Sequence, residues 1–453
     1  MSLIPVPFFN EELDVFWKNE IFDNMLPTPG FITDMVTSLR GVESPTKTAA
    51  WSAVFTLSSV MKRDSYLIQH PSRIFPNFFI IIVGPPRIVA KSTVVNYADE
   101  YLLMDFHDEL PDEYLKKLKR LNILRSRATP EALSVVLAPE VEVMVVDRKM
   151  KNVDRGSQLV LILSELATFL GKQKYNTGLV TKLINLYDCR KFDDDHTIAR
   201  GNLPMRDVYV TLFGATTRDG LESSVAGDAF GSGFMSRIVL VHTDRPTRVF
   251  PQPIPTKLKD GTSIDWPLEL RKRLAWIAVN SMGEYILEED AQEFYNSWYR
   301  TNHKALTRKA GDPETELRSR IDVHLMKLAM IFRAQRYEPG RLITLQDMTE
   351  AHRFLLSTYE DAFSVVEDAI NPRDFNKWMN RIVTLLKRDK ELSRTMVLRQ
   401  LSPYGCKKDD VNLILRQLYE ERRISIFTAE GDPKTYPSSD GKELYRWKKG
   451  LQT

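Results

Sequence analysis

Four short apolar runs stand out along the chain: residues 78–83, 159–163, 208–213 and 238–241. Apolar runs of this length without polar alternation predict strands buried on both faces, as in a parallel sheet. Residues 141–146 predict a further strand, and residues 193–203 a hairpin turning near Arg200-Gly201-Asn202. Helical spacing dominates elsewhere. Over residues 46–61, Ala49, Ala50, Val54, Phe55, Leu57 and Val60 predict a buried helix. Ala128-Thr129-Pro130-Glu131 is a helix start, with a Thr cap and Pro at the first position. Helices are also expected over 91–103, over the basic stretch 112–127 and over 179–186, and residues 263–366 read as mainly helical. Strands alternating with helices make the expected fold class α/β. Four regions follow: a helical collar over 1–75, an α/β core over 76–250, a helical lid region over 251–370 and a separate tail over 371–453.

The tail has its own pattern. Helices are expected over 375–387, over 393–401 with Ser393 as cap, and over 407–422 with Val411, Ile414, Leu415 and Leu418 facing inward. A strand over 424–428, a turn-rich stretch over 431–441 and a strand over 443–448 complete it. Three helices, a strand, a wing and a strand describe a winged helix, a helix-turn-helix variant. Lys407, Lys408, Asn412 and Arg416 lie on its third helix, and Lys434 and Lys442 in its wing.

Charge supports treating the tail separately. The whole chain has a formal net charge of +3, but residues 371–453 carry 18 Lys/Arg against 11 Asp/Glu, which leaves the remainder at −4. A basic module on a slightly acidic body predicts an anionic partner, with DNA the first candidate. Winged helices also bind proteins, and composition does not choose between the two. Only two cysteines occur, Cys189 and Cys406, in dissimilar contexts. This argues against a disulfide framework or a cysteine-rich zinc site and fits a reducing, cytoplasmic setting. The amino terminus has no basic segment before an apolar core, and no apolar run nears the roughly 20 residues needed to span a bilayer. A soluble, intracellular protein is expected.

Candidate chemistry gathers at the ends of the apolar runs. The first ends in Gly84-Pro85-Pro86-Arg87-Ile88-Val89-Ala90-Lys91-Ser92-Thr93. A strand, a loop, Lys-Ser/Thr and a helix make a phosphate cradle. Backbone N–H groups face the anion, the lysine reaches the β- and γ-phosphates, and the Ser92 hydroxyl takes Mg²⁺. Two departures are visible: five residues separate Gly84 from Ala90, one more than the usual four, and Ala90 stands where a second glycine is usual. The second run ends in Ser164-Glu165, where a carboxylate would polarise an attacking water. The third ends in Thr216-Thr217, hydroxyls able to sense a γ-phosphate or to cap the next helix. Gly231-Ser232-Gly233-Phe234-Met235-Ser236-Arg237 brings an arginine to the start of the fourth. Such an arginine can act as a finger on a neighbour's phosphate or form an internal salt bridge. Arg320 opens an amphipathic helix and fits a lid arginine. Asp193-Asp194-Asp195-His196 matches no zinc or calcium spacing.

In this order, the loop with Lys91-Ser92, Leu-Ile-Leu-Ser-Glu, Gly-Ala-Thr-Thr and Gly-Phe-Met-Ser-Arg resemble an AAA+ or RecA-type P-loop ATPase. The set is similar to the helicase-like ATPases of phages and mobile elements and, more distantly, to the minichromosome-maintenance helicases, which carry a winged helix after the ATPase core. The resemblance covers approximately residues 77–363. It implies ATP and Mg²⁺ bound by Gly84, Ala90, Lys91, Ser92 and Thr93, water activated by Glu165, Thr217 as sensor, Arg237 as finger and Arg320 as lid arginine. The hairpin near Arg200 would resemble a pore hairpin that grips DNA. The implied function is an ATP-dependent DNA helicase or translocase, ring-forming and hexameric, working with replication proteins. The alternative is an ATP-binding, weakly hydrolysing assembly factor or loader.

Overall fold

The computed structural model describes residues 21–86, 89–104, 106–109, 121–125, 128–138, 141–146, 149–154, 156–163, 166, 169, 178–197, 201–225, 233–244, 257, 262–306, 313–370, 374–389, 391–402, 406, 408–428, 432–434 and 443–447. The chain divides into two compact units, Met1–Ile370 and Asn371–Thr453.

The first unit is α/β. Its central sheet has five parallel strands: β1 (Phe79–Val83), β2 (Ile123–Leu124), β3 (Gln158–Leu163), β4 (Tyr209–Thr216) and β5 (Ile238–His242). They lie in the order β5-β1-β4-β3-β2. Every residue of β1 and β4, two inner strands, and of the edge strand β5 is buried, so all three are covered on both faces. Ile80, Ile81 and Ile82 are fully enclosed, each contributing about 2 kcal/mol of apolar burial. Thr216, Val83 and His242 form one row across β4, β1 and β5. The carboxyl ends of the strands therefore share one edge of the sheet.

The helix α1 (Thr46–Met61), assigned from the sequence to an amino-terminal collar, is built into this core. Every residue except Lys47 is buried. The Ser58 hydroxyl lies 3.0 Å from that of Thr211 in β4, and the Trp51 indole N–H donates to Thr358 Oγ1 at 2.8 Å. Further helices relevant to the site are α2 (Lys91–Asn96), α3 (Leu179–Tyr187), α4 (Arg218–Val225), α5 (Ile321–Ala334) and α6 (Leu345–Ile370). After α2 the chain continues as a wider π-helical stretch, Tyr97–Leu103. Thr129 caps the helix Pro130–Leu137 as its sequence requires, accepting the Ala132 N–H at 3.2 Å.

Three features depart from the sequence reading. Ile123–Leu124, expected at the end of a basic helix, is the edge strand of the central sheet; two paired residues are too few to leave a periodic signal. Val141–Val146 pairs with Lys149–Asp154 in a separate antiparallel ribbon. It does not join the central sheet. A second sheet, of strands Leu342–Ile343, Gly283–Leu287, Ser65–Gln69 and Ser72–Ile74 in that order, crosses regions read as helical. Its strands come from segments more than 200 residues apart, and local periodicity does not register such pairings.

The second unit has helices Asp374–Arg388, Arg394–Leu401 and Lys408–Glu420 around a core that includes Ile382, Leu386, Val397, Ile414 and Leu418. Ser393 caps the middle helix, accepting the Met396 N–H at 3.3 Å. Its antiparallel sheet runs Glu391–Ser393, Leu444–Trp447, Ile424–Phe427, Pro433–Lys434. The strand Glu391–Ser393, between the first two helices, was not anticipated. No described helix of either unit is long and apolar enough to cross a membrane.

Candidate functional site

The carboxyl edge of the central sheet gathers the loop after β1 and the ends of β4 and β5. Gly84 begins the loop. Its N–H donates to the Thr216 carbonyl at 3.3 Å, and the Thr243 N–H donates to the Val83 carbonyl at 3.0 Å. A Cβ at Gly84 would lie 2.5 Å from the Thr243 carbonyl oxygen, so only glycine lets the chain leaving β5 run this close. Ala90, at the far end of the loop, adopts a left-handed conformation with φ 43° and ψ 36°. That is the geometry glycine supplies without strain, and it costs an L-residue about 1–2 kcal/mol. Ala90 thus holds the backbone conformation that a glycine would supply at this position.

Lys91 turns back over this loop. Its ammonium donates to the Pro85 carbonyl at 3.0 Å and also to the Gly84 carbonyl. Among the described residues no carboxylate pairs with it, and partial burial pulls its pKa down. A cation held only by carbonyl dipoles in a half-buried setting is a seat for an anion. Ser92 and Thr93 are exposed on the first turn of α2, where the Ser92 hydroxyl is open to a ligand.

The two threonines at the end of β4 separate in role. Thr217 Oγ1 accepts the Gly220 N–H at 3.0 Å, capping α4. The Thr216 hydroxyl is buried and has no hydrogen-bond partner among the described residues. A buried hydroxyl in this state can still take a hydrogen bond from a group outside the described residues. Of the two candidate hydroxyls, that of Thr217 is engaged as a cap and that of Thr216 is not.

Arg237 and Arg320 lie elsewhere. Arg237 Nη2 and Nε donate to the two carboxylate oxygens of Asp188 at 3.0 and 3.3 Å, and Nη1 donates to the Gly233 carbonyl at 2.8 Å. Arg320 Nη1 donates to the same carboxylate at 3.3 Å. Arg237 directly precedes β5, and Asp188 follows α3, whose last carbonyl, that of Tyr187, accepts from Asn77 at 2.8 Å just before β1. Both arginines therefore sit at the amino edge of the sheet, roughly 15 Å from the Lys91 loop for strands of this length. A lid role for Arg320 over its own chain's loop is excluded. The reason lies in α5: its buried Lys327 donates to the Asn77 carbonyl and Oδ1 at 2.9 and 2.7 Å, which anchors the helix to the wrong edge for that task.

The same edge holds further buried polar groups. The Lys327 ammonium lies 3.9 Å from the centre of the Tyr187 ring, and burial lowers its pKa to about 7. His324 bridges the hydroxyls of Tyr359 and Tyr187 at 2.7 and 2.8 Å, and burial keeps it neutral. It is a packed histidine.

Several predicted residues receive no geometry. Glu165, with Ser164, and Arg200, Lys407 and Lys442 lie outside the described residues. The hairpin carrying Arg200 pairs Asp195–Thr197 with Gly201–Leu203. Asp193 and Asp195 lie 3.5 and 3.4 Å from Lys182 Nζ. Lys434 belongs to the edge strand Pro433–Lys434. Lys408 and Arg416 are exposed on the third helix of the second unit, and Arg416 pairs with Glu420 at 3.1 Å.

No protein-family model matches this chain, and no curated protein matches it significantly.

Sequence reasoning missed a group at the carboxyl edge made of Arg218, His242 and Asp244. Arg218 Nη2 lies 3.0 Å from His242 Nε2 and 3.2 Å from Asp244 Oδ1; His242 Nε2 lies 2.8 Å from Asp244 Oδ1. The one available signal was the position of Arg218 immediately after Thr216-Thr217.

Proposed function

We propose that the protein is a P-loop ATPase of the AAA+ or RecA type that acts on DNA as a ring-forming helicase or translocase. The observation carrying this reading is the Lys91 ammonium, turned onto its own loop carbonyls, in a loop whose Gly84 is hydrogen-bonded to Thr216, a residue whose hydroxyl has no partner among the described residues. Open α/β sheets bind ligands outside the carboxyl ends of their strands. The order β5-β1-β4-β3-β2 sets the Lys91 loop, Thr216 and the segment after β3 on adjacent strands of that edge.

In this reading Lys91 binds the β- and γ-phosphates, the loop N–H groups that follow Pro85 and Pro86 would face the anion, and Ser92 and Thr93 open the helix, where Ser92 would hold Mg²⁺. Mg²⁺ held there would supply positive charge against the transferring phosphoryl group. Glu165, which follows β3, would polarise the attacking water, and Thr216 would orient it. Arg237 would serve a neighbouring subunit, which requires an oligomer, a closed hexameric ring in the simplest case. Arg320 shares Asp188 with Arg237 and would be presented to the same neighbour. The second unit would act as a winged helix, with Lys407, Lys408, Arg416, Lys434 and Lys442 on a phosphate backbone.

One observation favours the alternative, a weakly hydrolysing assembly factor or loader. Arg237 is buried and committed to Asp188 within its own chain, so its release would have to accompany assembly. Leu413, 57% exposed between Lys408 and Arg416, suits a protein partner for the second unit as well as DNA.

The deciding experiment is ATP hydrolysis at low salt, with and without single-stranded DNA, for the wild type and Lys91→Ala. The motor reading expects DNA-stimulated turnover that the variant loses. ATP binding without turnover in either condition overturns the motor and leaves the assembly factor; no binding of ATP overturns both.

A further inference from the structure

Arg218 reaches across the strand that carries the loop. It lies two residues beyond Thr216 on β4, yet its guanidinium contacts the end of β5: 3.0 Å to His242 Nε2, and 3.2 and 3.3 Å to the two carboxylate oxygens of Asp244. Thr216, Val83 and His242 lie in one row, so this bridge passes over the carboxyl end of β1, where Gly84 starts the loop. The backbone ties the loop to both ends of the bridge, through Gly84 to Thr216 on one side and Thr243 to Val83 on the other.

The bridge is built to be exchanged. The Arg218 and Asp244 side chains are 40% and 54% exposed, and an ion pair that wet is weak. Phosphate offers a guanidinium a better matched, doubly bonded acceptor. His242 Nε2 is in reach of both partners. A single ring nitrogen either accepts from Arg218 or donates to Asp244, so the two contacts are alternatives. When Arg218 leaves, a change of tautomer lets neutral His242 donate to Asp244, and the carboxylate keeps a partner.

We propose that Arg218 is a γ-phosphate arm: it leaves Asp244 for the terminal phosphate of a nucleoside triphosphate seated on the Lys91 loop, making the site prefer triphosphate over diphosphate. This rests on the phosphate-loop reading given above. Asp244 is the internal competitor, and His242 holds it once Arg218 has moved.

The test is titration of the full-length protein with fluorescent ATP and ADP analogues, for the wild type, Lys91→Ala, Arg218→Ala and Asp244→Asn. Loss of a charge-assisted contact made only by the triphosphate should weaken ATP binding by Arg218→Ala about 10–100-fold and leave ADP within about twofold. Asp244→Asn removes the competitor and should tighten ATP binding a few-fold, with ADP unchanged, a gain that misfolding does not produce. Equal weakening of both nucleotides by Arg218→Ala, or an unchanged ATP preference in both variants, overturns the proposal while leaving the phosphate loop standing. A wild type that binds neither nucleotide overturns the phosphate loop and the arm together.

Discussion

The two edges of the central sheet are built on opposite electrostatic plans. At the amino edge every named charge has its partner in the fold: Asp188 takes two guanidiniums, Lys327 is held by Asn77, and His324 lies between two tyrosine hydroxyls. At the carboxyl edge, Lys91 rests on carbonyls, the Thr216 hydroxyl has no partner among the described residues, Ala90 is left-handed, and Arg218 holds a wet ion pair. The same five strands support both edges, so burial of the sheet does not explain the contrast. The amino edge uses its polar groups within the fold, whereas the carboxyl edge leaves several of them unmatched, the pattern that the proposed ligand site would require.

The comparison can be broken most forcefully at Lys91. If the carboxyl edge is the ligand edge, Lys91→Ala should weaken ATP analogue binding about 100-fold with little change in melting temperature, since a charged hydrogen bond to the ligand is worth about 1.5–3 kcal/mol. A large loss of stability with unaltered binding would show that Lys91 is structural. Asp188→Ala is the mirror experiment. It leaves two guanidiniums unpaired and should destabilise the protein by about 2 kcal/mol in urea unfolding, short of the cost of a fully buried pair because Asp188 is 29% exposed. Nucleotide binding by the isolated chain should not change.

Lys327 gives a smaller effect with a defined sign. Its folded pKa, about 7, lies below its ordinary value of 10.5, so above pH 7 the unfolded chain holds the extra proton. Stability should therefore rise with pH between about 7 and 9, with a slope of up to about 1.4 kcal/mol per unit. Beyond that range the Cys189 thiol, pushed up by burial to about 11, contributes in the opposite sense. Urea unfolding across pH 7–9 should show the rise, and Lys327→Met should flatten it; an equal slope in the variant would remove Lys327 from the account. The smallest effect is at Ala90. Ala90→Gly relieves left-handed strain but adds freedom to the unfolded chain, for a net gain of about 0.5 kcal/mol. A lower melting temperature in this variant would show that the loop does not hold Ala90 at positive φ in solution.

Much of the scaffold was legible in the chain. The run 78–83 announced β1 because an inner strand covered on both faces has no polar positions to alternate. Thr129 and Ser393 marked helix starts because a cap is satisfied within three residues of its own position. The candidate site was legible only in part. The Gly84–Lys91 loop could be read from spacing, but the choice between Thr216 and Thr217 could not, since it depends on which hydroxyl the following helix uses.

The sequence by itself determined the α/β class, the four longer strands of the central sheet, the helical pattern of the second unit and the loop that ends in Lys91. Local burial patterns and caps act within windows of a few residues, so they are written into the chain. Only the tertiary structure decided the strand order, the two-residue strand β2, the second sheet, the sharing of Asp188 by Arg237 and Arg320, and the reach of Arg218 over β1. Those features depend on which distant segments become neighbours and in what register. That is settled by packing the whole unit, and no single stretch of sequence carries it.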